Sequence, residues 1–199
     1  RLDPPFDQNY LHLTYIFDHL NESVIQFNPA KALRNYNEKI LPLRWPDFVP
    51  PTLVTQNKQQ ILDFVLRHDD IVVKPLDDCS GRGVVKLSAQ QQNLEQVLSA
   101  SLLNAFDQPQ MLQAQRFLPE VSEGDKRVYL VNGEPVGIVN RLPREGQFLA
   151  NIHQGARCEA SDLSVRERHI IETIKPFLWE QGIFLVGVDF IGGYITEIN

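Results

Sequence analysis

The hydrophobic positions change their spacing along the chain, and each change marks a candidate element. Apolar residues at helical spacing predict helices over residues 8–22, 29–36, 58–67, 90–105 and 165–181. β-Branched or alternating runs predict strands over residues 24–27, 71–74, 84–87, 110–117, 126–131, 134–141, 184–191 and 194–198. The mixed spacings in the first helix predict that it is largely buried. No evenly spaced series of β-α-β units occurs, so the pattern favours an α+β fold with mostly antiparallel strands.

Polar residues and prolines support several of these boundaries. Ser164 and Glu167 have the spacing of a capping box, which predicts the start of the last helix. Asn132–Gly133 favours a type I′ turn between two of the strands. Residues 42–51 contain four of the 13 prolines, so we expect an extended connection and a domain boundary there.

Composition excludes several classes of protein. Apolar residues make up 43% of the chain and charged residues 22%, which is typical of a globular protein. The 19 basic and 25 acidic residues give a net charge of −6, which argues against nucleic acid as a partner. No apolar run reaches the roughly 18–20 residues that span a membrane. The two cysteines argue against a disulfide scaffold and fit a reducing cytoplasm.

The ends of the chain suggest that it is part of a longer protein. It begins with Arg1 rather than Met, and it stops at Asn199 directly after a strand-like run. We therefore expect a fragment, or a chain whose terminal segments have been removed.

The C-terminal hairpin contains the most informative polar residues. Alternation places Glu197 and Asn199 on one face of the last strand. A two-residue loop would pair Asp189 with Thr196, whereas a three-residue loop would pair it with Glu197. The second register would bring together oxygen donors that suit Mg²⁺. The alternative is a hairpin whose polar side chains simply face solvent.

Lys74 ends an apolar strand and precedes a loop of small residues, 77–83. Backbone N–H groups in such a loop, together with a lysine, can bind phosphate. A solvated lysine at a strand end is the alternative, and the Walker A pattern is absent. By themselves, Asp125 and Arg127 at the start of a predicted strand favour an exposed strand end with a weak ion pair rather than a site.

Several short motifs, in collinear order, together resemble the prokaryotic glutathione synthetase family of ATP-grasp carboxylate–amine ligases. They are DPPFD (3–7), NEK (37–39), KPLD (74–77), AQxxLP (114–119), GDKRV (124–128), NGEPV (132–136), GAR (155–157), VGVD (186–189) and ITEIN (195–199). GDKRV and the D-x₇-E-x-N ending are the most specific. The resemblance implies an ATP-grasp fold, with two α+β subdomains whose mostly antiparallel sheets enclose a nucleotide cleft.

The resemblance also implies domains and residue roles. Residues 1–38 would be the remnant of a central substrate-binding region, 39–112 the lid subdomain, and 113–199 the C-terminal subdomain without its final segment. The nucleotide-binding residues would be Lys39, Lys74, Gly81, Gly83, Gln115, Arg116, Phe117, Leu118 and Asp125. The catalytic residues would be Arg127, Arg141 and Arg157, and the metal ligands Asp189, Glu197 and Asn199.

The implied reaction joins γ-glutamylcysteine to glycine. ATP would phosphorylate the C-terminal carboxylate of γ-glutamylcysteine. The amine of glycine would then displace phosphate from this acyl phosphate. Mg²⁺, or Mn²⁺ in its place, would be the cofactor, the partners would be small molecules, and the protein would be a cytoplasmic enzyme that forms homo-oligomers. The alternatives are another ATP-grasp amino-acid ligase, such as one that adds glutamate to a protein, and a catalytically silent nucleotide-binding module.

The chain departs from the family pattern at several places, of which the altered loop after KPLD and the missing ends motivate the silent alternative. The loop after KPLD has fewer glycines than is usual in the family and carries Asp78 and Arg82 instead. In addition, His153–Gln154 interrupts the run of small residues that the family favours before Arg157. A chain without the family's terminal segments is expected to bind ATP poorly and to make no glutathione.

Overall fold

The structure is a computed structural model that describes residues 5–151 and 155–199. The helices are α1 (Gln8–Phe17), α2 (Ala30–Asn35), α3 (Lys58–His68), α4 (Leu94–Ser101) and α5 (Val165–Glu180). The strands are β1 (Thr52–Thr55), β2 (Asp70–Pro75), β3 (Val85–Ser88), β4 (Leu112–Arg116), β5 (Asp125–Val131), β6 (Glu134–Leu142), β7 (Arg157–Ala160), β8 (Leu185–Ile191) and β9 (Tyr194–Ile198). Short 3₁₀ helices span Leu41–Arg44, Pro46–Phe48 and Pro119–Glu123.

The chain divides into two compact units. The first unit combines the stretch that ends at Val49 with Glu120–Asn199, and the second unit is Pro50–Pro119. The first boundary lies inside the proline-rich stretch 42–51, as the sequence predicts. This division rests on compactness alone, so the functional division at residues 38 and 112 stays a prediction.

The second unit is a four-stranded antiparallel sheet with α3 and α4 on one face. The strand order is β1-β4-β2-β3. Ile71 and Val73 are buried and alternate with the partly exposed Asp70, Val72 and Lys74 along β2; with Leu112 and Ala114 of β4, they face the helices. This leaves Lys74, Gln113 and Gln115 on the opposite face of the sheet, because alternate residues of a strand point to opposite sides.

The first unit is a five-stranded antiparallel sheet packed against α5. The strand order is β7-β6-β5-β8-β9. The predicted capping box begins α5, with Ser164 Oγ accepting from the N–H of Glu167 and the carboxylate of Glu167 accepting from the N–H of Ser164. The core consists of apolar side chains from α5 and from the middle strands, which include Ile170, Ile171, Ile174, Leu178, Val128, Leu130, Val186 and Val188.

The predicted N-terminal elements differ from the structure in two ways. The first helix ends at Phe17, and Leu13, Tyr15 and Ile16 are exposed, so the prediction of a largely buried helix was wrong. Apolar residues at mixed spacings do not form one stripe that can face a core. Residues 24–27 are irregular rather than a strand, and Ile25 is 77% exposed. A β-branched run without a neighbouring strand has nothing to hydrogen-bond to.

The sequence did not predict β1 or β7, which are short strands on sheet edges. The hairpin β5–β6 turns at Asn132–Gly133, as predicted, and both residues have positive φ. None of the helices in the described part of the chain is long and apolar enough to cross a membrane.

Candidate active site

The hairpin β8–β9 brings Asp189 opposite Glu197, by a route that neither sequence alternative contained. Its loop has two residues, Gly192 and Gly193, because Ile191 pairs with Tyr194. That loop alone would pair Asp189 with Thr196. A bulge beside Asp189 shifts the register by one residue, so Asp189 pairs with Glu197 instead. A bulge inserts one extra residue into a strand, so it shifts the strand pairing by one residue and changes the direction of the side chains that follow.

Asp189 is buried, with 3% of its surface exposed, and two arginines hold it. Arg127 Nε donates to Asp189 Oδ1 at 2.7 Å and Arg127 Nη2 donates to Oδ2 at 2.5 Å. Arg141 Nη2 lies 3.0 Å from Oδ1. Burial alone would raise the pKa of Asp189, but the hydrogen bonds and charges of the two arginines lower it below its ordinary value. Asp189 is therefore ionised at neutral pH.

Arg141 contacts the carboxylate of Asp125 as well as that of Asp189. Arg141 Nη2 lies 2.7 Å from Asp125 Oδ2, and the two residues are direct partners across β5 and β6. Burial, followed by the nearby charge of Asp189, raises the pKa of Asp125 to about 7 in spite of this ion pair. The pairs Asp125–Arg141 and Arg127–Asp189 thus form one connected network across three strands.

Glu38 and Lys39 meet this network where the chain passes β9. The backbone carbonyl of Glu38 accepts from the N–H of Ile198 at 2.9 Å. Glu38 Oε1 accepts from Lys39 Nζ at 2.5 Å, and Lys39 is only 2% exposed. Burial, followed by the charge of Glu197, raises the pKa of Glu38. The sequence analysis missed Glu38, and its position beside Lys39 in the motif NEK was the available signal.

In one orientation of the Asn199 amide, both of its ends form a hydrogen bond. Its NH₂ group donates to Glu38 Oε2 at 2.7 Å, and its oxygen accepts from Arg127 Nη2 at 3.1 Å. The end that faces Arg127 also lies 3.4 Å from Asp189 Oδ2. The predicted ligands Asp189, Glu197 and Asn199 therefore lie together. Asp189 and Glu197 are strand partners, and the side chains of Asp189 and Asn199 are in contact.

The donor set of this cluster fits a hard divalent cation. Four carboxylates (Glu38, Asp125, Asp189 and Glu197) face three cationic side chains (Lys39, Arg127 and Arg141), so the fully ionised cluster carries excess negative charge. No group of three or more His, Cys, Asp or Glu side chains within the described ranges could hold a metal ion by itself. Two carboxylates and one amide oxygen suit Mg²⁺, which usually completes its six ligands with water and substrate phosphate.

In the second unit, Lys74 lies next to the end of β4. Its Nζ donates to Gln115 Oε1 at 3.5 Å, and Gln115 Nε2 donates to Thr52 Oγ1 at 3.1 Å. The backbone N–H groups of Arg116 and Phe117 donate to Pro51 and Asp70. Within the described part of the chain, no hydrogen bond uses the N–H of Leu118. A planar base can therefore hydrogen-bond to the backbone at Leu118 more readily than at Arg116 or Phe117.

The loop after Lys74 depends on its glycines. Gly81 and Gly83 have φ values of +77° and +66°, the left-handed region that favours glycine. A Cβ atom on Gly83 would lie 2.7 Å from Pro75 Cγ. Arg82 Nε lies 3.0 Å from Asp78 Oδ1, so the two charges that depart from the family pattern pair with each other.

Arg157 belongs to the first unit but does not join the cluster. It belongs to the edge strand β7, its side chain is 74% exposed, and its Nη2 lies 2.6 Å from Glu159 Oε1. The structure therefore does not bring Arg157 to Asp189, as it does Arg127 and Arg141. The preceding His153–Gln154, which interrupts the family pattern, lies outside the described residues.

The fold is shared with ATP-grasp ligases. Crystallised D-cycloserine synthetase superposes with a TM-score of 0.75 at 16% identity, over 96% of this chain and 70% of that protein. The ATP-grasp ligase PsnB superposes with a TM-score of 0.64 at 20% identity, over 94% of this chain and 60% of that one. These superpositions show that the chain has the ATP-grasp fold.

Comparison of sequences narrows this class to one family. The family model "Prokaryotic glutathione synthetase, ATP-grasp domain" matches residues 38–199, and that of the N-terminal domain matches residues 1–34. The chain belongs to the prokaryotic glutathione synthetase family. It is 43% identical to the glutathione synthetase of Brucella melitensis and 40% identical to that of Parasynechococcus marenigrum, over its whole length in both cases. It spans 63% and 64% of the length of these relatives.

Proposed function

We propose that this protein is an ATP-dependent ligase that joins γ-glutamylcysteine and glycine into glutathione, with release of ADP and phosphate. Membership of the family supports the reaction class. The observation that carries the proposal is the cluster of Asp189, Glu197, Asn199, Arg127 and Arg141, of which Asp189 and Arg141 are buried, because its acidic and basic groups match what a phosphoryl transfer needs. Such a transfer is catalysed mainly by positioning and by neutralising charge.

The proposed nucleotide contacts are lysine side chains and backbone N–H groups. Lys74 and Lys39 would bind phosphate oxygens as point charges. The flexible backbone at Gly81 and Gly83 would let N–H groups approach phosphate oxygens. The end of β4, from Gln115 to Leu118, would bind adenine, and the N–H of Leu118 is the donor best suited to it.

Asp189, Glu197 and Asn199 would hold Mg²⁺, with Mn²⁺ as an alternative. When bound, the cation neutralises charge on the phosphates during transfer. Arg127 and Arg141 are fixed by Asp189 and Asp125, so their positive charge is in place without reorganisation when the substrate binds. Asp125 would contribute to the nucleotide site through the same network.

The chemistry needs no protein nucleophile. An oxygen of the γ-glutamylcysteine carboxylate attacks the γ-phosphorus of ATP, and ADP leaves. The amine of glycine then attacks the acyl carbon, and phosphate leaves with the electrons of the broken C–O bond. Arg127, Arg141 and Arg157 would stabilise the negative charge of these steps, and Arg157 would do so from the exposed strand β7.

Three further properties stay proposals. The protein would act on small molecules rather than on nucleic acid or membranes, it would assemble as a homo-oligomer, and it would function in the cytoplasm. Its two free cysteines, Cys79 and Cys158, are consistent with a reducing compartment.

The direct test measures ADP release by the full-length protein with γ-glutamylcysteine and glycine, each omitted in turn. Glutamate with a peptide acceptor replaces both substrates in a parallel reaction. We expect ADP and glutathione in equal amounts only when both proposed substrates and Mg²⁺ are present. ADP release with glutamate and the peptide instead would indicate a different amino-acid ligase, and release with neither pair would indicate a silent module.

The role of Lys74 has its own test in the same protein. We expect Lys74→Ala to weaken ATP binding more than tenfold, because one charged phosphate contact is worth about 1.5–3 kcal/mol. Lys58→Ala is the matched control, since Lys58 lies in the same unit but pairs with Glu95 at the surface. Isothermal titration with ATP compares the variants, and equal ATP affinity for Lys74→Ala and the control would contradict the phosphate role.

A further inference from the structure

The two oxygens of the Glu38 carboxylate bind two different residues of the site. Oε1 accepts from Lys39 Nζ at 2.5 Å, and Oε2 accepts from the NH₂ group of Asn199 at 2.7 Å. The backbone carbonyl of Glu38 also accepts from Ile198, so the end of β9 is fixed against it. Glu38 thus contacts both a proposed phosphate ligand and a proposed metal ligand.

An asparagine amide presents a donor at one end and an acceptor at the other, and only the oxygen end can ligate a cation. A carboxylate accepts hydrogen bonds and donates none, so Glu38 admits only the NH₂ end of Asn199. The oxygen end must then face Arg127 Nη2, 3.1 Å away, and Asp189 Oδ2, 3.4 Å away. This is the side on which the other metal ligands lie.

We propose that Glu38 is a positioning residue, which fixes the amide of Asn199 so that its oxygen faces the metal ligands and which holds Lys39 in place. The inference rests on the proposed function, because it assigns Asn199 to a metal site. Outer groups that orient metal ligands commonly affect metal affinity by about 10- to 100-fold.

The arrangement predicts an unusual effect of Glu38→Gln. The oxygen of the new glutamine must face Lys39, which can only donate, so its NH₂ group faces Asn199. Asn199 then turns its oxygen toward the glutamine and its NH₂ group toward Asp189 Oδ2, which accepts from it in spite of the nearby donor Arg127 Nη2. The metal site loses an oxygen ligand, although Asn199 still has a hydrogen-bond partner at each end.

The same geometry predicts a rescue. Asn199→Asp alone places a carboxylate against the carboxylate of Glu38, which is unfavourable. When Glu38→Gln and Asn199→Asp are combined, the glutamine keeps its oxygen toward Lys39 and its NH₂ group donates to the new aspartate. The second oxygen of that aspartate is then available on the metal side, and the net charge equals that of the wild type.

The experiment uses the full-length protein and measures the Mg²⁺ concentration that half-saturates ATP binding, by titration calorimetry. We expect Glu38→Gln and Asn199→Asp each to raise this concentration about tenfold or more. The double variant should return to within about threefold of the wild type. Glu134→Gln, an exposed acid of the same unit that pairs with Lys175, is the control and should not change it.

A second readout needs no metal. The thermal midpoint in the presence of EDTA should fall more for Asn199→Asp than for the double variant, because only the single variant opposes two carboxylates. A merely structural role for Glu38 predicts that Glu38→Gln lowers the midpoint and leaves the Mg²⁺ dependence unchanged.

The outcomes separate the two proposals. A wild-type protein that binds ATP with Mg²⁺ dependence, together with a Glu38→Gln variant of unchanged dependence, would overturn the positioning role alone. A double variant no better than either single variant would overturn it too. A wild type whose ATP binding ignores Mg²⁺ would overturn the proposed function, and the metal role of Glu38 with it.

Discussion

At the scale of single residues, the site is held together by charge. Asp189 forms ion pairs with the guanidinium groups of Arg127 and Arg141, and Asp125 forms a second ion pair with Arg141. The sequence could name these residues, because they stand in motifs that resemble a known family. It could not show that Asp189 lies between Arg127 and Arg141, because these contacts join strands far apart in the chain. Because Asp189 and Arg141 are buried, the loss of either charge should lower the stability of the fold.

Removal of the charge of Asp189 should therefore be costly. We expect Asp189→Asn to lower the free energy of unfolding by about 3 kcal/mol or more, because it leaves the buried guanidinium group of Arg141 and the partly buried one of Arg127 without their shared carboxylate. Urea denaturation measures the change. Glu95→Gln is the control, since Glu95 pairs with Lys58 at the surface and should contribute less than about 1 kcal/mol. Equal effects of the two variants would mean that the network does not stabilise the fold.

His68 gives the second unit a pH-dependent stability. Burial, followed by the charges of Arg67 and Arg116, lowers the pKa of His68. As the pH falls through about 6.5, the unfolded chain binds a proton that the folded chain resists, so stability decreases. We expect the stability of the wild type relative to His68→Gln to be lower at pH 5 than at pH 8. Urea unfolding of both proteins at these two pH values tests this, and a pH-independent difference would contradict it.

At the scale of elements, loops decide where the site residues lie. The bulge in β8–β9 pairs Asp189 with Glu197, and the glycines between β2 and β3 allow a tight loop beside Lys74. The sequence predicted the hairpin β8–β9 from its alternation and turn residues, and it predicted β2 and β3 only as two strands joined by a loop. It did not predict the bulge, because a one-residue shift depends on how the whole strand packs rather than on the turn alone.

Gly83 and Gly146 offer a matched pair for testing the loop. Both have positive φ, +66° and +75°, so alanine at either position costs about 1 kcal/mol or more of backbone strain. Only at Gly83 would the new Cβ lie 2.7 Å from Pro75 Cγ, whereas nothing lies within 4 Å at Gly146. We expect Gly83→Ala to lower the free energy of unfolding more than Gly146→Ala. Equal losses, measured by chemical denaturation, would show that the loop shifts without cost.

At the scale of the whole molecule, the chain builds two separate cores. Ile61 belongs to the core of the second unit, and Ile170 belongs to that of the first. The sequence indicated a boundary in residues 42–51 from its prolines. It gave no sign that the first unit is assembled from two distant stretches, since that depends on contacts between the N-terminal stretch and β9.

Separate cores should respond separately to cavities. We expect Ile61→Ala and Ile170→Ala each to lower stability by about 2–5 kcal/mol, because both side chains are fully buried. Hydrogen exchange should accelerate mainly in residues 50–119 for the first variant and mainly in residues 120–199 for the second. Acceleration of both units to the same extent by either variant would show that they unfold as one.

The sequence by itself determined the elements with strong local signals and the residues with strong motifs. The capping box of α5, the Asn132–Gly133 turn and the GDKRV and D-x₇-E-x-N motifs were all readable, because each depends on a few neighbouring residues. The exposure of α1, the absence of a strand at 24–27 and the edge strands β1 and β7 were not readable from such local signals.

Only the tertiary structure decided how the site residues meet. It placed Glu38 against Asn199, joined Asp189 to two arginines and left Arg157 on an exposed edge. These facts depend on which strands are neighbours and in what register they pair. Local sequence fixes backbone preferences and the period of apolar residues, whereas a contact between distant residues depends on the packing of the whole sheet.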